Sequence, residues 1–133
     1  MTELSDELKK EHTAMVAILD EVWKLGLGSS ESRNVLVAAR ETFVNHLEKE
    51  ERELYPPLRK AAETNSNVRE LVDALARDIE EISHSALAFF DKYTGGGPSN
   101  EFKGDFSALY ARLTIRIQQE EDMLFPTYEQ LKQ

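Results

Sequence analysis

Apolar residues recur at steps of three and four through four segments of the chain, and alternation of period two is absent, so the pattern predicts helices and no strands. The first predicted helix follows Ser5, where Asp6 and Glu7 suit the positive end of a helix dipole. It carries Leu8, Met15, Leu19 and Val22 on one stripe and stops at "GLGSS". The second runs from about Glu31, with Leu36, Ala39, Phe43, Leu47 and Leu54 inward, and is expected to kink or end at Pro56 and Pro57, which cannot donate a helical hydrogen bond. After the polar "TNSN" a third starts near Val68, turning Leu71, Leu75, Ile79, Ile82, Ala86 and Phe89 to one side, and ends at "TGGGPSN". The fourth starts near Phe102, buries Phe106, Leu109, Leu113, Ile117 and Leu124, and meets Pro126.

Short connections between long amphipathic helices favour antiparallel neighbours, so the expected fold is all-α, an up-down-up-down antiparallel four-helix bundle. The chain also reads as two related hairpins. "HLEKEERELYPPL", from His46 to Leu58, shares the frame Glu-Glu-x-x-Leu-aromatic-Pro with "RIQQEEDMLFPTY", from Arg116 to Tyr128. "EHTAMVAILDEVW", from Glu11, aligns with "DIEEISHSALAFF", from Asp78, at a slightly smaller offset that fits a longer loop in the second hairpin. Duplicated hairpins give a pseudo-twofold bundle in which equivalent positions converge on the core.

A length of 133 residues suits one domain, residues 1–133, with a single core. The formal charge of −9 would repel phosphate backbones and anionic lipid, which argues against nucleic acid and a membrane surface as partners. No apolar run approaches a membrane span, and the polar, acidic N-terminal stretch is unlike a signal peptide, so a cytoplasmic location is expected. There is no cysteine, which leaves only nitrogen and oxygen donors for any metal.

Several polar residues fall on the stripes that periodicity assigns to the interior. His12 lies between Leu8 and Met15; His46 and Glu50 continue the series Leu36, Ala39, Phe43; Glu120 lies between Ile117 and Leu124, with Arg116 one turn before it. A carboxylate taken inside must be paired, protonated or metal-bound, because burying it bare costs several kcal/mol. A single inward histidine is most simply a hydrogen-bonded core residue, but two histidines and two glutamates together, with a His-x-x-x-Glu pair on one helix face, point to a metal. His84 completes a Glu-x-x-His with Glu81, yet it is two residues from Ile82 and from Ala86, which at roughly 100° per residue turns it away from their stripe. It reads as a surface residue.

These residues carry a resemblance to the hemerythrin-like family, the HHE cation-binding domains, over nearly the whole chain: "KKEHTAM", "HLEKEERELYPPL" and the frame of "RIQQEEDMLFPTY" are its motifs. The resemblance implies a bundle around two iron ions bridged by two carboxylates, one iron held by histidines of the first two helices and the other by histidines of the last two. On that pattern His12 and His46 match ligands of the first iron, and Glu50 and Glu120 match the bridging carboxylates. Ile79 and Arg116 stand where the last two helices would supply histidine. An always-charged guanidinium is suited to pair with Glu50 and Glu120 in place of the second ion, with Ile79 filling the remaining space.

The implied function is therefore that of a non-haem iron protein with a degenerate, mononuclear site of His12, His46, Glu50 and Glu120, binding or sensing oxygen, nitric oxide or iron itself. The alternative is a metal-free bundle that kept the scaffold as an interaction or regulatory module, its buried residues forming a salt-bridge network. No nucleophile, partnered general base or substrate pocket is visible, so the sequence does not argue for an enzyme; an oxidase-like diiron centre would need His84 as a ligand. No protein partner is legible.

Overall fold

The computed structural model describes residues 2–132, all of whose regular elements are helical. Six α-helices, α1 (Glu3–Leu25), α2 (Ser30–Lys49), α3 (Tyr55–Ala62), α4 (Ser66–Thr94), α5 (Ser99–Gln119) and α6 (Phe125–Leu131), make four rods. This is because α2 runs into α3, and α5 into α6, through one π-helical turn each, Glu50–Leu54 and Glu120–Leu124. The rods pack as α1 on α2, α2 on α4, α4 on α5 and α5 on α1, the antiparallel bundle expected from the short connections. Among the described residues no helix is long and apolar enough to cross a membrane.

The helix starts lie slightly earlier than hydrophobic periodicity places them, because capping side chains decide them. Thr2 accepts the Ser5 N–H and starts α1 ahead of Ser5, Ser29 accepts the Ser32 N–H for α2, and Asn65 accepts from Asn67 and Val68 for α4. The larger correction concerns the prolines, through which the helical rod continues in place of the expected end. Inside a regular helix a proline ring at position 56 would meet the carbonyl four residues back. The π-turn shifts the register first: the Tyr55 N–H reaches the Glu50 carbonyl, five residues back, and Pro56 and Pro57 fall in the first turn of α3, where no N–H is required. The second half repeats the device, with the Phe125 N–H on the Glu120 carbonyl and Pro126 in the first turn of α6.

The interior has two apolar layers. One, towards the connecting loops, contains Met15, Leu19, Phe43, Phe89, Phe90 and Phe106; the other, at the opposite end, contains Leu8, Leu54, Leu58, Leu75, Leu124 and Phe125. The stripe of α4 is centred on Val72 and Leu75 rather than Leu71, and Leu71, Ile79, Leu47 and Ile117 lie half-buried at the edges of their stripes. Between the layers lies a level of buried polar side chains: His12, His46, Glu50, Arg116 and Glu120.

Candidate metal centre

Four rods contribute to this polar level, three of them through side chains. His12 comes from α1 and His46 from α2, while Glu50 and Glu120 are the first residues of the two π-turns and Arg116 stands one helical turn before Glu120. All five are at most 3% exposed, which makes the electrostatics of the level decisive. One donor atom from each of His12, His46, Glu50 and Glu120 lies within 4.8 Å of all the others, a separation suited to a single shared cation.

Both imidazoles are oriented from behind. His12 Nδ1 stands 2.7 Å from Glu121 Oε2, and His46 Nδ1 stands 2.8 Å from Glu11 Oε1. Because an ionised carboxylate can only accept, each ring donates its Nδ1–H there and turns Nε2 inward, the arrangement by which carboxylates orient metal-binding histidines. His12 Nε2 then lies 2.8 Å from Glu120 Oε1, so two lone pairs face each other unless a proton or a cation lies between them. His46 Nε2 is 3.2 Å from Glu50 Oε2 and 3.7 Å from Glu120 Oε1, in hydrogen-bonding alignment with neither. Phe125 stacks on the His12 ring, with centroids 5.5 Å apart, and closes the level from the adjoining apolar layer.

Arg116 saturates its own side of the site. Its Nε–H donates to Glu120 Oε2 at 2.9 Å, one Nη donates to the Leu75 carbonyl at 2.7 Å, and the other to the Tyr55 hydroxyl at 2.7 Å. The expected pairing with both glutamates is thus corrected by the structure: the fork reaches Glu120, and its remaining donors are taken by Tyr55 and the α4 backbone. Glu50 receives no hydrogen bond from it, only the longer-range attraction of its charge. Both Glu50 oxygens, together with His46 Nε2, are buried without a hydrogen-bond partner among the described residues.

Titration follows this asymmetry. Burial, then the neighbouring Glu120 charge, push the Glu50 carboxyl up to about 8. Burial works against the charge on His46, but Glu120 and Glu50 beside it hold the imidazole up at about 10. Burial also opposes ionisation of Glu120, yet the two histidines and Arg116 keep it well below the usual carboxylate range. The donor set fits a cation: His46 Nε2 and both Glu50 oxygens have no hydrogen-bond partner among the described residues, His12 Nε2 faces Glu120 Oε1, and two imidazole nitrogens with two carboxylates are a borderline-hard environment that suits Fe(II), Mn(II) or Zn(II) in place of the protons they hold.

His84 is exposed and apart from the cluster, and Ile79, half-buried, brings no donor to it. The functional residues that periodicity misses are Glu11, Glu121 and Tyr55. The two glutamates are about a third exposed and sit beside inward residues in sequence, so a helical wheel assigns them to solvent. Their only signal is adjacency: each precedes or follows a core-facing polar residue. Tyr55, in the Leu-aromatic-Pro frame, reads as packing, and its hydroxyl instead meets the guanidinium.

Among known proteins, the family model of the hemerythrin HHE cation-binding domain matches residues 3–128. No curated protein and no solved structure matches the chain. A match over nearly the full length, on a four-helix bundle whose buried level gathers two histidines and two glutamates, means that the chain belongs to the hemerythrin HHE cation-binding domain family.

Proposed function

We propose that this chain is a mononuclear member of the family, holding one iron ion through His12, His46, Glu50 and Glu120 and using it to bind or sense oxygen, nitric oxide or iron itself. The observation that carries the reading is Glu50: a carboxylate 1% exposed, with neither oxygen hydrogen-bonded, beside an equally unpartnered histidine nitrogen. An arginine that paired with both glutamates would have removed the need for a cation, and this arginine pairs with one. When bound, iron(II) with an open coordination position supplies reversible ligation of a small diatomic molecule. The chain's own residues supply everything around it. Glu11 and Glu121 hold the histidine rings, Arg116 keeps Glu120 ionised and carries the positive charge in the second half, and the two apolar layers exclude water.

The competing reading is a metal-free interaction module. It is favoured by Arg116, all of whose contacts are satisfied without an ion, and by a Glu50 that is readily neutral. Elemental analysis separates the two. Protein loaded anaerobically with Fe(II) and desalted is expected to retain a single iron per chain, and His46→Ala to retain none. No iron in the parent protein would leave the module reading standing, and two irons would mean that the second half supplies ligands after all.

A further inference from the structure

Two clefts flank α4 and approach the polar level from opposite sides, and they differ in charge. The first, of about 290 Å³, opens between α2 and α4 along Leu47, Glu48, Glu50, Tyr55, Ile79 and Ser83. Its inner end is Glu50, the buried carboxylate with both oxygens unpartnered, and its mouth carries the exposed Glu48 and Glu51. The second, of about 170 Å³, opens between α4 and α5 and ends on Arg116, with Arg112 beside its mouth. In the second cleft Asp78 and Glu81 are balanced by Arg112 and Arg116, and the inner end is a guanidinium; in the first, Glu48 and Glu51 flank the way in and the inner end is a carboxylate.

We infer that the α2–α4 cleft is the entry route by which a divalent cation reaches Glu50, with Ile79 as its gate. The inference rests on the metal-binding reading above and adds the path, the gate and the steering charge. Ile79 is half-buried and takes part in no polar contact of its side chain, so it can be reshaped without disturbing the ligands. The mouth charges are unequal. Arg59 clamps Glu51 with two hydrogen bonds of 2.7 and 3.1 Å, whereas Glu48 has no ion pair among the described residues. Glu48 is therefore the charge that draws a cation inward, in a chain whose overall balance of −9 already favours cations.

The test follows Co(II) uptake by the metal-free chain in stopped flow, Co(II) release into excess chelator, and the equilibrium Kd. Ile79→Ala should speed uptake and release together and leave Kd within about twofold, since a gate changes rates and not end states. Ile79→Phe should slow both. Glu48→Gln should slow uptake about threefold and flatten its dependence on ionic strength, because one steering charge is gone. Uptake and release that ignore Ile79→Ala and Glu48→Gln, with Kd intact and the variants folded by circular dichroism, would overturn the route while leaving the metal site standing. Failure of the parent protein to bind Co(II) or Fe(II), or equal binding by His46→Ala, would instead overturn the metal reading and the route with it. If Ile79→Phe does not fold, the alanine and glutamine variants decide the matter alone.

Discussion

The two halves of this bundle share a frame and differ in what they bring to its centre. In the first, His46 and Glu50 stand four residues apart, each with a buried, unpartnered donor atom; in the second, Arg116 and Glu120 stand four residues apart and are bonded to each other at 2.9 Å. Both halves use the same π-turn to place the glutamate, with its carbonyl accepting from the aromatic residue of Leu-aromatic-Pro. The backbone device is thus independent of the metal chemistry. What distinguishes the two glutamates is a single side chain one turn earlier, and whether it gives the carboxylate a hydrogen bond.

The sharpest way to break the comparison is to remove the residue that makes the second half self-sufficient. Arg116→Ala strands Glu120, Tyr55 and the Leu75 carbonyl in the interior, and is expected to lower unfolding stability by roughly 3–5 kcal/mol in urea titration. Arg116→Lys should recover only part of this, because an ammonium lacks the planar fork that reaches three acceptors in different directions. If Arg116→Ala were nearly neutral, the second half would not be a stabilising substitute for an ion.

A smaller effect sharpens the first half. Glu11→Gln and Glu121→Gln leave the histidines in place but weaken the acceptors that orient them, and each should loosen metal binding about 10- to 100-fold in equilibrium titration. The Glu121 change should lie at the larger end, because Glu11 already shares its carboxylate with Lys49 at 3.1 Å whereas Glu121 pairs with His12. Equal affinity in all three proteins would mean that the rings are held by packing alone.

Proton competition should also separate the halves. Glu50 rises from 4.5 to about 8 and His46 from 6.5 to about 10 on folding, so the folded metal-free chain holds both protons more tightly than the unfolded chain. Their contribution to stability is full below pH 4.5 and 6.5 respectively, and is lost as pH rises through about 8 and about 10. The melting temperature of the metal-free protein should therefore fall from pH 5 towards pH 10 by this contribution, while metal affinity rises over the same range as the ligands give up their protons. In Glu50→Gln the lower part of that fall should disappear. The smallest effect belongs to His84→Ala, expected to leave iron content unchanged and stability within about 0.5 kcal/mol, as suits an exposed side chain away from the cluster.

Much of this molecule is legible without coordinates, and the reason is that helical periodicity is local. Four amphipathic segments, the duplicated frame, and the inward direction of His12, His46, Glu50, Arg116 and Glu120 all follow from the side chain's angle about its own helix axis, which spacing determines. The outward direction of His84 follows from the same angle. Less legible is the passage of two helices through their prolines, because the expected break is replaced by a change of hydrogen-bond register that spacing does not encode.

Distances between helices belong to the tertiary structure alone. Only there does Arg116 reach Glu120, Tyr55 and Leu75 while leaving Glu50 without a hydrogen bond, and only there do the partly exposed Glu11 and Glu121 lie against the backs of two histidines. Sequence determined which side chains face inward; the packing of one rod against the next decided which of those charges found partners and which were left for a cation, because a hydrogen bond depends on tenths of an ångström between elements that no single helix controls.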